Sequence, residues 1–73
     1  MSIDEIRSYR NAKPFEPFGI ELRDGKTIRV MKPERIAIAP WGRLAIFENS
    51  VYHGLHVDEV VAVKVLPPVS KPA

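Results

Sequence analysis

The chain has 73 residues, of which 45% are hydrophobic and 27% charged, with a net charge of +2 and no cysteine. This length and balance predict one folded domain, and the lack of cysteine excludes disulfides and thiolate metal sites. No apolar run approaches the ~20 residues of a membrane span, and the acidic start is unlike a signal peptide, so we expect a cytoplasmic protein with no membrane partner.

Residues 2–12 predict a short amphipathic helix. Ser2 and Glu5 have the spacing of a capping box, in which each side chain bonds an amide of the first turn. One narrow apolar stripe runs along the helix at every third position: Ile3, Ile6 and Tyr9. Pro14 and Pro17 then end the helix and lead the chain into a strand.

A β-hairpin is predicted next, with strands over 18–22 and 27–30. Apolar and polar residues alternate in both segments, which is the period of a half-buried strand. Asp24 and Gly25 lie between them and predict a two-residue type I′ turn, which needs φ > 0 at both central positions. This turn would set the register of the hairpin.

Three more strands are predicted over 36–39, 44–47 and 61–66. Turns are expected at 32–35 and 40–43, and a single helical turn is expected over 56–59. The last strand would place Val61, Val63 and Val65 on one face. The stretch 49–54 is ambiguous, because Val51 and Tyr52 suit a strand whereas Gly54 bends the chain.

Together these predicted elements form a mainly β domain over residues 1–66 with a short N-terminal helix, followed by a flexible Pro-rich tail over 67–73. A five-stranded, strongly bent antiparallel sheet, closed or nearly closed into a small barrel, buries the apolar faces best. Sm-like and SH3-like barrels have this order of elements. That analogy concerns architecture and implies no function.

Three elements together resemble a family of small uncharacterised bacterial proteins. They are the PFxPF segment at 14–18, the Asp-Gly hairpin with a basic residue after it, and the Pro33-Glu34 turn. The resemblance covers roughly residues 8–66 and supports the same fold, but it implies no activity. Family members often carry a histidine before the Pro-Glu pair, where this chain has Lys32.

Two kinds of binding residue are predicted. Met31 and Phe47 are apolar at outward strand positions, and Trp41 lies in a turn, where it either faces a partner or folds back over the barrel mouth. These three residues predict a protein-interaction or self-associating module. The alternative is a barrel that binds single-stranded RNA through a basic hairpin face. Five cations lie within thirteen residues of this part of the chain: Arg23, Lys26, Arg29, Lys32 and Arg35. The three predicted RNA contacts among them are Arg23, Lys26 and Arg29.

The remaining candidates favour structural roles. Phe15, Pro17 and Phe18 could form an exposed aromatic groove, but we expect the two rings to wedge the helix against the barrel, since phenylalanine is usually buried. His53 and His56 fall short of the three or four ligands of a zinc site, so we expect surface histidines and no metal or other cofactor. No nucleophile and base stand out together, and we therefore expect no enzymatic activity.

Overall fold

The computed structural model describes residues 2–66. In chain order the elements are α1 (Ile3–Arg10), β1 (Phe18–Leu22), β2 (Thr27–Val30), the 3-10 helix η1 (Pro33–Arg35), β3 (Ile36–Ile38), β4 (Arg43–Glu48), β5 (Val51–His56), the 3-10 helix η2 (Val57–Glu59) and β6 (Val60–Val65). The helices within this range are too short and too polar to span a lipid bilayer. The predicted tail, 67–73, lies outside the described residues.

The strands form two antiparallel sheets of three strands each. Sheet A has the order β2-β1-β6, and sheet B has the order β3-β4-β5. The helix η1 leads the chain from sheet A to sheet B, and η2 leads it back. The mainly β fold with a short N-terminal helix is thus confirmed. The prediction of one closed or nearly closed five-stranded barrel is wrong, because six strands divide into two sheets.

The extra strand is β5, which occupies the ambiguous stretch. A two-residue turn at Asn49 and Ser50 precedes it, and both residues have positive φ, at 51° and 68°. This is the type I′ geometry that the right-handed twist of a hairpin favours. Gly54 does not interrupt the strand, since it pairs with Ala45 of β4. The ring of Tyr52 lies beside it, and a Cβ at Gly54 would be 2.8 Å from the Tyr52 hydroxyl oxygen.

The first hairpin forms as predicted, but its turn is of a different type. Gly25 has a φ of +91°, whereas Asp24 does not have positive φ. The N–H of Leu22 donates to the carbonyl of Lys26 at 2.8 Å, and the N–H of Gly25 donates to the carbonyl of Leu22 at 3.0 Å. The loop is therefore three residues long and ends on a left-handed glycine, and the predicted type I′ turn at Asp24-Gly25 is wrong.

The turn between β3 and β4 repeats this arrangement. The N–H of Ala39 donates to the carbonyl of Arg43 at 2.9 Å, the N–H of Gly42 donates to the carbonyl of Ala39 at 3.0 Å, and Gly42 has a φ of +101°. Pro40 suits the second position of such a turn, where φ is near −65°. Trp41 occupies the third position, at the tip of the loop.

One core lies between the sheets and receives a side chain from the helix. Its eleven buried residues are Ile6, Phe18, Ile20, Ile28, Val30, Ile36, Leu44, Ile46, Leu55, Val60 and Val63. The predicted helix stripe is confirmed, since Ile6 is buried in the core and Ile3 and Tyr9 pack against that core. The predicted wedge is also confirmed: the rings of Tyr9 and Phe15 lie 5.5 Å and 5.9 Å from that of Phe18.

The last strand faces the core differently from the prediction. The register between β1 and β6 shifts at Leu22, so that Val61 is an extra residue and Val60 takes the inward place. Val60 and Val63 are buried, whereas Val61 and Val65 are exposed. The bulge separates Val61 from the face that it was predicted to share with Val63 and Val65, and simple alternation in the sequence does not contain that information.

Candidate functional site

A groove of about 370 Å³ lies where the end of sheet A meets the β4–β5 turn of sheet B. We call it the basic groove, after the three cations in its lining: Arg29, Lys32 and Arg35. Its apolar lining consists of Met31 and Phe47. Its other polar residues come from the end of β4 and the turn after it: Glu48, Asn49 and Ser50.

Strand alternation explains how the two sheets supply this lining. Ile28 and Val30 of β2 point into the core, so Arg29 and Met31 point outward. On β4, the outward residue Phe47 lies beside the core residue Ile46. The type I′ turn then folds the chain sharply at the end of β4 and brings two polar side chains to the rim of the groove.

Glu48 makes polar contacts with both Arg29 and His53. Its Oε2 accepts hydrogen bonds from the backbone N–H and from Nε of Arg29, at 3.2 Å and 3.1 Å. Its Oε1 lies 3.6 Å from Nε2 of His53. Burial acts to raise the pKa of Glu48, but the hydrogen bonds from Arg29 and the charges of Arg29 and His53 outweigh it, and the pKa lies below its usual value.

The other two cations of the groove are not neutralised in this way. Lys32 and Arg35 are both exposed. Among residues 2–66 no carboxylate forms an ion pair with either of them. Glu48 therefore offsets one cation of three, and the groove keeps a formal charge of +2.

Two of the three predicted partner-binding residues meet in the groove. Met31 is 45% exposed and Phe47 is 48% exposed. They come from different parts of the fold, because Met31 directly follows β2 of sheet A and Phe47 lies in β4 of sheet B. The ring of Phe47 also packs against Tyr52, at 5.5 Å between centroids. Trp41 lies apart from them, beyond the opposite end of β4, and is 73% exposed. The indole thus does not cover the core.

The three cations predicted to bind RNA do not converge on one surface. Nε of Arg23 donates to the carbonyl of Asp58 at 2.9 Å, which ties its side chain to η2. Lys26 lines a second groove, of about 530 Å³, in which it is accompanied by three carboxylates: Asp24, Glu48 and Glu59. Only Arg29 reaches the basic groove, and Glu48 neutralises it there.

The two histidines have structural contacts. Nδ1 of His56 accepts a hydrogen bond from the N–H of Asp58 at 3.2 Å, and Glu59 accepts one from the N–H of His56 at 2.9 Å. These two bonds form the cap of η2, the helical turn predicted before the last strand. His53 is half-buried against Glu48. Both side chains therefore support local structure.

The sequence predicted no site role for Glu48, whereas Lys32 and Arg35 belonged to the predicted cluster of five cations but were not among its three chosen contacts. For Lys32 and Arg35 a signal exists, because they flank the Pro33-Glu34 pair and a helical turn places its first and fourth residues on one side. For Glu48 the sequence holds no such signal. Its role depends on a contact between β2 and β4, which belong to different sheets.

Comparison with known proteins gives no family model, no curated protein and no solved structure that matches this chain.

Proposed function

We propose that this protein is a small protein-interaction module and that the basic groove is the surface on which its partner docks. The observation that carries the proposal is the convergence of Met31 and Phe47 on one groove. Single exposed apolar side chains are normal on a protein surface. Here two of them, each about half exposed, are brought together from the end of β2 and from β4, and they form a place where a partner side chain can be buried.

The composition of the groove supports a protein partner. Aromatic residues, methionine and arginine are enriched at protein interfaces, and all three line this groove. Met31 has a flexible, polarisable side chain that adapts to the shape of its partner. The ring of Phe47 packs against Tyr52, and this contact reduces the conformational entropy that Phe47 loses when a partner covers it.

Site-specific photo-crosslinking in cells tests the proposal. A photoreactive benzoylphenylalanine replaces Phe47 or Met31 in turn, and replaces Arg43 as the control, since Arg43 is exposed on the same strand as Phe47 but outside the groove. We expect a defined protein adduct from positions 47 and 31 that the control does not give. The adduct should also disappear when Arg35→Glu is added.

The identity of the adduct separates the alternatives. An adduct of the protein with its own second copy would identify the module as self-associating. Adducts with RNA alone would replace the proposal with the nucleic-acid alternative. Equal adducts from all three positions would show that the groove has no special part in binding.

A further inference from the structure

The unpaired charges in the basic groove define the chemistry of its partner. Lys32 and Arg35 are exposed, and within residues 2–66 neither has a carboxylate partner. Glu34, which lies between them in the chain, does not line the groove. Complementary charge determines which partners an interface accepts and how fast they associate. Charge complementarity therefore favours a partner that carries negative charge.

The spacing of these two cations indicates the form of that partner. Lys32 directly precedes η1 and Arg35 ends it. Three positions of a 3-10 helix rise about 6 Å and return to the same side. Alternate residues of an extended chain also share one side, about 6.6 Å apart. Two carboxylates at alternate positions of an extended peptide match this spacing.

The apolar lining indicates a third feature of the partner, an apolar side chain. Met31 and Phe47 lie beside the cations in the same groove, so an apolar side chain of the peptide can be buried next to its carboxylates. Asn49 and Ser50 add exposed polar groups at the rim, where they can bond a peptide backbone. All three features of the lining are thus matched by one short segment.

We propose that the basic groove binds an extended peptide segment with two carboxylate side chains at alternate positions and one large apolar side chain beside them. The proposal rests on the interaction function proposed above and names the partner's chemistry. The groove suits a peptide better than a nucleic acid strand. Proteins that bind single strands use a longer cationic track with several stacking rings, whereas this groove presents one ring, Phe47, and also contains a carboxylate.

Selection from a displayed random-peptide library tests the proposal. The library is selected on the whole protein and counter-selected on the double variant Lys32→Glu, Arg35→Glu. We expect the enriched peptides to share an acidic-x-acidic pattern next to Leu, Ile, Phe or Trp. A consensus without acidic residues would overturn this proposal and leave the interaction function standing.

Fluorescence anisotropy with one selected, labelled peptide then locates the contact. We expect Arg35→Glu and Phe47→Ser each to weaken binding by about tenfold or more. Replacing the two acidic residues of the peptide with their amides should do the same. Arg43→Glu, the matched control outside the groove, should change binding by less than about twofold. Thermal melts of each variant confirm that it is folded.

Three further outcomes would also overturn the proposal. The first is a library that enriches nothing over the double variant. The second is a selected peptide whose affinity is the same for Arg35→Glu and wild type, which would place the contact elsewhere. The third is a labelled single-stranded RNA that binds through Lys32 and Arg35 and displaces the peptide at lower concentration, which would assign the groove to nucleic acid. The photo-crosslinking experiment decides the interaction function independently of these results.

Discussion

The Glu48 carboxylate accepts hydrogen bonds from both the main chain and the side chain of Arg29, and this pair joins the two sheets. The backbone N–H of Arg29 points away from β1, because Leu22 and Lys26 form a hydrogen-bonded pair and such pairs recur at every second position. This N–H would otherwise be unpaired at the open side of β2. The carboxylate from β4 accepts it, and a side chain thereby closes part of a strand edge.

The first prediction concerns the charge of Glu48. The pKa of Glu48 is lower in the folded protein than in the unfolded chain, so its stabilisation is complete above pH ~4.3 and is lost as the pH falls through the folded pKa. Glu48→Gln should therefore lower the free energy of unfolding at pH 7 by about 1 kcal/mol, since Arg29 is partly screened by water. The difference from wild type should vanish at low pH.

Urea denaturation of wild type and Glu48→Gln from pH 7 down to pH about 3 measures this effect. Glu34→Gln is the control, because Glu34 is exposed on η1 and makes no ion pair among residues 2–66. If the Glu48→Gln difference stays constant with pH, the loss comes from packing and not from charge.

The features of this fold that depend on neighbouring residues could mostly be predicted from the sequence. The capping box at Ser2 and Glu5 forms as predicted, with the Ser2 hydroxyl accepting from the Glu5 N–H at 3.2 Å. The first hairpin and the alternating core positions of β1, β2 and β4 also follow from spacing alone. Contacts between segments that are distant in the chain could not be predicted in this way. Examples are the bulge beside Val61 and the contact of Glu48 with Arg29.

The predicted type I′ turn is absent at Asp24-Gly25 and occurs instead at Asn49-Ser50, and both differences have a physical explanation. Asp24-Gly25 is a common type I′ sequence, but a three-residue loop that ends on glycine accepts the same pair. In this loop, Oδ1 of Asp24 accepts a hydrogen bond from the N–H of Lys26 at 2.9 Å. Asn49 and Ser50 adopt positive φ because β4 and β5 are paired directly up to the turn, and Asn tolerates that conformation better than most residues.

The second prediction compares two glycines in matching turns. Both Gly25 and Gly42 have positive φ, so alanine is strained at either position by about 1 kcal/mol. A Cβ at Gly25 meets nothing within 4 Å, whereas a Cβ at Gly42 lies 2.9 Å from Nε2 of His56. His56 cannot move away freely, because its Nδ1 holds the N–H of Asp58 in the cap of η2.

Gly42→Ala should therefore destabilise the protein by about 2–3 kcal/mol and Gly25→Ala by about 1 kcal/mol. Thermal and urea unfolding of the two variants give the comparison. Equal losses of unfolding free energy in the two variants would show that backbone strain accounts for the whole effect. The contact with His56 would then make no measurable contribution to stability.

The third prediction concerns Trp41. Its side chain is 73% exposed at the tip of a loop, so Trp41→Ala should change the free energy of unfolding by less than about 0.5 kcal/mol. The indole fluorescence should match that of tryptophan in water and shift little on unfolding. Trp41→Ala should also leave binding at the basic groove unchanged. A loss of partner binding at unchanged stability would instead include Trp41 in the interface.

The fourth prediction is a stabilising substitution in the β4–β5 turn. Ser50 has a φ of 68°, which glycine adopts without steric cost, and Asn-Gly is the preferred type I′ pair. Ser50→Gly should raise the free energy of unfolding by about 0.5–1 kcal/mol, the relief of left-handed strain being partly offset by the greater entropy of the unfolded chain. Ser8→Gly, within α1, is the opposite control and should destabilise by about 0.5 kcal/mol. A lower melting temperature for Ser50→Gly would show that the Ser50 side chain stabilises the turn by more than its backbone strain costs.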